Sequence, residues 1–238
     1  MGDLVICTNT AGLVSAGTVS CMEEFRKTTS IDYQWVFEYG EGILGRSRSI
    51  AASKFLRDYQ ASILLFIDSD IVFKSSDIED VYNALTRKKY RVIGGLYPVA
   101  GGAKLAQHSG LPGGLRITGD LVEVQYVSTG FMGIQRNLLE EMRDKLKMPL
   151  LQKGSDLECY PFFEDYAKPP LYISEDWDFC DKAREVGAKV WAHTGIQLGH
   201  IKNIVYYACD TIKKIGIDLD EGRKSKPKDA GKNNESAK

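Results

Sequence analysis

An α/β domain built on a mostly parallel sheet is the fold this sequence predicts, and three observations predict it. The run Ile63-Leu64-Leu65-Phe66-Ile67 is continuously apolar, too short to span a membrane, and rich in branched and aromatic residues, as suits a strand covered on both faces. Stretches with strand patterning alternate with stretches of helical period from Leu4 to about His200. The 238 residues are enough for one domain with a substantial core.

Taken in order, Leu4 to Cys7 reads as the first strand. The small polar run Thr8 to Gly12 follows it, where an α/β fold brings backbone close to a nucleotide, although any tight turn uses the same residues. A helix from about Val14 to Lys27 leads to a strand over Tyr33 to Phe37. In the next helix Leu44, Ser47, Ala51 and Phe55 share a face, while Arg46 and Arg48 occupy the first turn, where the helix dipole disfavours cations. An anionic ligand at that end would resolve the conflict; two solvated arginines are the plainer reading.

The apolar strand then ends in Asp68 and Asp70. Ligands of open α/β sheets bind beyond the carboxyl ends of the strands, and residues two apart on a strand point to one side, roughly 6.5 Å apart. Two carboxylates there suit a divalent cation that bridges to phosphate oxygens, and hence a nucleoside diphosphate. Asp and Ser also favour turns, so this run alone leaves both readings open. Neither a GxxxxGK[ST] nor a GxGxxG pattern occurs.

Beyond it, Ser76 and Glu79 form a capping-box pattern ahead of a helix through Ile78, Val81, Tyr82 and Leu85. Arg91 to Gly95 reads as a strand, Pro98 to Gly119 as a glycine-rich loop holding Lys104 and His108, and Leu121 to Val127 as a further strand. Thr129-Gly130-Phe131 is a backbone-permissive break, followed by a helix through Leu139, Met142 and Leu146. Residues 148–170 have no clean period but carry Tyr160, Phe162, Phe163 and Tyr166, which fits an acceptor-side loop or a packed excursion. Ser174 is placed to cap a helix that opens with Glu175 and Asp176 and ends at Gly187; acids in a first turn are also simply favourable with the dipole. A strand over Lys189 to His193 and the element Leu198-Gly199-His200 complete a domain expected over residues 1–221, with a charged, apolar-poor tail over 222–238 expected to be disordered.

The formal net charge of −1 argues against stable nucleic-acid binding. Five scattered cysteines without a CxxC pair indicate neither a zinc site nor a disulfide framework. With no leader pattern and no stretch long enough to cross a bilayer, a soluble cytoplasmic protein is expected, inside a host cell if the source is viral.

Together, Arg46-Ser-Arg48-Ser49, Phe66-Ile-Asp68-Ser-Asp70, Val92-Ile-Gly-Gly-Leu-Tyr97-Pro98, Ser128-Thr-Gly130-Phe-Met, Ser174-Glu-Asp176-Trp-Asp-Phe-Cys and Leu198-Gly-His200 give the chain its family likeness. In this order they resemble the family-2-like, nucleotide-sugar-dependent glycosyltransferases of the GT-A fold, especially small single-domain members from viruses, phages and bacteria, with a DxD motif. The resemblance implies a Rossmann-like α/β/α sandwich and a Mn2+ (or Mg2+) ion held by Asp70, His200 and Asp68. It places Thr8, Asn9, Arg46, Arg48, Asp68, Ser69 and Lys202 on the nucleotide side and Gly130 and Phe131 along the donor sugar and acceptor. Asp176, with Glu175 beside it, matches the catalytic base of inverting relatives. Two departures stand out: Ser49 replaces a frequent Asn, and Val99-Ala100 replaces a frequent basic residue after Tyr97-Pro98.

The implied activity is metal-dependent transfer of a sugar, with inversion, from a nucleoside diphosphate sugar, UDP being expected, to a hydroxyl of a glycan, protein, lipid or modified nucleic acid. A nucleotidyltransferase acting on sugar phosphates and a non-catalytic sugar-binding domain are the alternatives.

Overall fold

The computed structural model describes residues 3–87, 90–98, 116–118 and 120–201. They fall in the compact unit Met1–Lys202; the second unit, Asn203–Lys238, lies outside the described residues, as do the expected boundary at 221 and the residues Lys104, His108 and Lys202.

The elements in chain order are β1 (Leu4–Thr10), α1 (Ala16–Thr28), β2 (Tyr33–Tyr39), α2 (Leu44–Asp58), β3 (Ile63–Ile67), β4 (Ile71–Val72), α3 (Ser75–Thr86), β5 (Val92–Leu96), β6 (Arg116–Thr118), β7 (Leu121–Val124), β8 (Phe131–Gln135), α4 (Arg136–Lys145), β9 (Tyr166–Lys168), β10 (Leu171–Ile173), α5 (Glu175–Glu185), β11 (Val190–Gln197) and β12 (Gly199–His200). Eight strands form one mixed sheet in the order β2-β1-β3-β8-β5-β11-β7-β6. Only β8 and β7 run against the others.

Side chains alternate across a strand, so each central strand feeds two cores. Val5, Cys7, Leu64 and Phe66 face a core shared with Phe55 of α2, Met142 of α4 and Phe179 of α5. Leu4, Ile6, Ile63, Leu65 and Ile67 face the other, closed by Phe25 of α1 and Ile78, Val81 and Leu85 of α3. The expected three-layer α/β/α sandwich is thereby present, and the continuous apolar run of β3 is explained by burial on both sides.

This direction of travel decides where the site forms. β3, β5 and β11 end at one edge of the sheet, and antiparallel β8 begins there. The helices α2 and α5 each precede a strand that runs toward that edge, so their N-termini open at it. Glu175 and Asp176, in the first turn of α5, and Arg48, the fifth residue of α2, are brought to the ends of the strands for that reason.

Three local expectations are corrected. Helix α3 begins at Ser75, and Asp77 rather than Glu79 reaches back, its Oδ2 accepting from the Lys74 N–H at 2.7 Å. Within the expected glycine-rich loop, Arg116–Thr118 forms a strand paired to β7; three residues at a sheet edge are too short to show a period. Ser174 occupies the N-cap of α5, but its hydroxyl makes no cap bond and donates to Asp176 Oδ1 instead. Of the two readings of residues 148–170, packing holds for its aromatic end: Phe162 and Phe163 are fully buried, and Phe163 stacks on Phe179 at 4.6 Å. Lys182 staples this end to α5 by donating to the Pro161 carbonyl at 2.7 Å and to Asp178 at 2.6 Å.

Candidate active site

Asp70 follows β3, and His200 lies 130 residues later, yet the two meet. The short antiparallel pair β4 and β12 matches Ile71 to His200 and Val72 to Gly199, and the Ile201 N–H donates to the Asp70 carbonyl at 2.8 Å. Gly199 makes the approach possible, because a Cβ there would lie 3.2 Å from that of Val72. His200 Nε2 consequently stands 3.2 Å from Asp70 Oδ2, and its Nδ1 stands 2.8 Å from the Pro98 carbonyl oxygen. A carbonyl only accepts, so Nδ1 carries the proton and a neutral ring turns the Nε2 lone pair toward a carboxylate. Two acceptors held face to face call for a cation or a second proton between them. Ligand atoms about 2.1 Å from one ion at right angles are about 3 Å apart, so this spacing fits a shared divalent metal. Imidazole with carboxylate suits a transition ion such as manganese better than calcium. Among the described residues, no three His, Cys, Asp or Glu side chains cluster closely enough to hold a metal by themselves.

Asp68, expected beside the metal, is instead paired with an arginine. Arg48 Nη2 donates to both its oxygens, at 3.0 and 3.1 Å, while Arg48 Nη1 donates to Glu175 Oε1. The Arg48 side chain is only 3% exposed, so the expectation of a solvated arginine fails for this residue: its charge is buried between the strand end and the first turn of α5. Burial pulls its pKa down, but Asp68 and Glu175 more than offset that and leave it raised. Burial pushes Glu175 up to about 7, with Arg48 opposing and Asp176 adding to the rise. Asp176 is held differently: Ser128 and Ser174 donate their hydroxyls to its two oxygens, and the Trp177 N–H reaches Oδ1 at 2.9 Å.

Gly130 ties the next strand in. Its carbonyl accepts from the Asp68 N–H at 3.0 Å and its N–H donates to the Tyr97 hydroxyl at 3.1 Å; a Cβ there would lie 2.4 Å from that oxygen. Phe131 is fully buried against Phe73, so only its backbone reaches the site edge. Thr8 is fully buried and accepts from the Trp35 indole N–H at 3.0 Å, and Asn9 donates to Ser47 Oγ at 2.7 Å. The Ser69 carbonyl accepts from the Ser15 N–H at 2.8 Å. Arg46 parts from Arg48 and pairs with Glu41 at 2.6 Å. Sequence reasoning did not assign roles to Tyr97, Ser128 or Asp165, although the first two lie in the motifs that carried the resemblance; Asp165 accepts from the Glu175 N–H at 3.2 Å and had no such signal.

No protein-family model matches the chain, and no curated protein matches it. Among solved structures it is similar to A197 from STIV, with a TM-score of 0.56, 19% identity, and 84% of this chain aligned to 86% of that one. It is also similar to GalNAc-T7 crystallised with UDP, GalNAc and Mn2+, with a TM-score of 0.50, 11% identity, and 86% of this chain aligned to 44% of that one. The fold is GT-A. This chain spans less than half of the GalNAc-T7 chain. Among the described residues of this GT-A domain, no helix is long and apolar enough to cross a membrane.

Proposed function

We propose that the chain is a metal-dependent glycosyltransferase that moves a sugar, with inversion, from a nucleoside diphosphate sugar, UDP the expected nucleotide, to a hydroxyl acceptor. The observation that carries this reading is the Asp70–His200 pair at the carboxyl edge of the sheet. The GT-A fold and the UDP and Mn2+ of the GalNAc-T7 crystal support it.

Asp70 and His200 would hold a divalent ion whose remaining positions are left for diphosphate oxygens and water; bound there, it offsets charge on the leaving diphosphate. Asp68, kept in place by Arg48, would meet the ribose, and the backbone around Thr8, Asn9 and Ser69 would line the nucleotide. Lys202, which lies outside the described residues, would supply positive charge to the diphosphate, whereas Arg46 is turned to Glu41; the Gly130–Phe131 backbone would border the donor sugar. Asp176, oriented by the Ser128 and Ser174 hydroxyls, would take the acceptor's proton as the new bond forms.

Incubating the protein with UDP-sugars and Mn2+, without acceptor, and measuring released UDP tests the reading. Slow, metal-dependent UDP release supports it, whereas pyrophosphate release from a nucleotide and a sugar phosphate would identify a nucleotidyltransferase instead. Neither product would leave the reading without support.

A further inference from the structure

Between the start of α2 and residues 151–165 lies a cavity of about 260 Å³ whose lining includes none of Asp68, Asp70, Asp176 and His200. Ile43, Leu151 and Phe163 give it apolar walls, and Arg46, Gln152 and Asp165 bring polar atoms to it. It abuts the first turn of α5 because α2 carries a glycine at the contact. A Cβ on Gly45 would lie 3.0 Å from the Phe163 carbonyl oxygen, 3.1 Å from Glu175 Cβ and 3.2 Å from Asp165 Oδ2.

We infer that this cavity is a carbohydrate subsite that takes one pyranose ring of the acceptor. Its volume is below the range usual for drug-sized ligands, so it suits a single ring rather than a chain. A pyranose offers a C–H face to apolar walls and hydroxyls that both donate and accept, which matches a lining that holds the Asp165 carboxylate and the Arg46 guanidinium. Asp165 and Glu164 in the lining disfavour a phosphate group, and so set this cavity apart from the nucleotide side. Assigning the ring to the acceptor rests on the proposed sugar transfer; the binding of a ring does not.

Leu151 and Ile43 are 42% and 54% exposed, so a tryptophan at either position fills the cavity without entering the core. Saturation-transfer NMR on the full chain, with the methyl pyranosides of glucose, galactose, mannose and N-acetylglucosamine as probes, reads the binding. Wild type is expected to bind at least one of them, Leu151→Trp and Ile43→Trp to lose that signal, and all three proteins to release UDP from UDP-sugar at the same rate. A wild type that binds none, or binding that survives both substitutions, overturns the subsite. UDP release without cavity-dependent binding sinks the subsite and leaves the transfer reading standing. Cavity-dependent binding without UDP release supports the subsite and counts against transfer.

Discussion

Arg48 joins the end of the central strand to the acidic helix by donating through one nitrogen to both carboxylate oxygens of Asp68, at 3.0 and 3.1 Å. Its second terminal nitrogen holds Glu175, so one buried cation stands between two acids on different elements. Removing one partner of a buried charge network leaves the others uncompensated, typically at about 3–5 kcal/mol. Arg48→Met is expected to lower stability by that order in denaturant unfolding. Arg48→Lys should recover little, because a single ammonium cannot reach both acids as the planar fork does.

Glu175 makes stability depend on pH. Its folded pKa is raised from 4.5 to about 7 by burial, so between those values the folded state holds a proton that the unfolded state has released. Stability should therefore fall as pH rises through this window. Melting temperatures of wild type and Glu175→Gln across pH 4.5 to 7.5 check this, and the substituted protein should lack Glu175's share of the fall.

Asp176 and Glu175 separate by their partners. Two hydroxyls and a backbone N–H orient Asp176, whereas Glu175 is tied to Arg48. Asp176→Asn is expected to slow sugar transfer by about 100-fold or more with donor affinity little changed, and Glu175→Gln to slow it less. Single-turnover kinetics with a donor-binding titration measures both.

Tyr97 supports Gly130, whose buried N–H donates to the phenol. Tyr97→Phe strands that donor and should cost about 1–3 kcal/mol in denaturant unfolding. Gly130→Ala, whose Cβ would meet the Tyr97 oxygen at 2.4 Å, should be the more damaging change.

Much of this was legible in the chain itself. The unbroken apolar run of β3 announced a two-sided strand, because strand period and burial act locally, whereas the acids at its end left a turn and a ligand site equally open. The meeting of Asp70 with His200 was legible only through resemblance: it depends on a two-residue ladder between β4 and β12, too short to leave any period. Arg48 was harder. A cation in a first turn reads as solvated until the fold brings two acids from distant segments onto it, and those pairings carry no sequence spacing. The α3 cap was misplaced because the helix already starts at Ser75 and Asp77 takes the Lys74 N–H, while at α5 Ser174 holds the cap position but Asp176 takes the Trp177 N–H that the Ser174 hydroxyl would have accepted from.

Calorimetric titration of Mn2+ into the UDP-saturated protein tests most directly whether Asp70 and His200 hold the metal. His200→Ala and Asp70→Ala, both folded by circular dichroism, are each predicted to weaken Mn2+ binding by more than about tenfold, while His193→Ala leaves it unchanged. Wild-type Mn2+ affinity in both His200→Ala and Asp70→Ala would contradict a metal held by this pair.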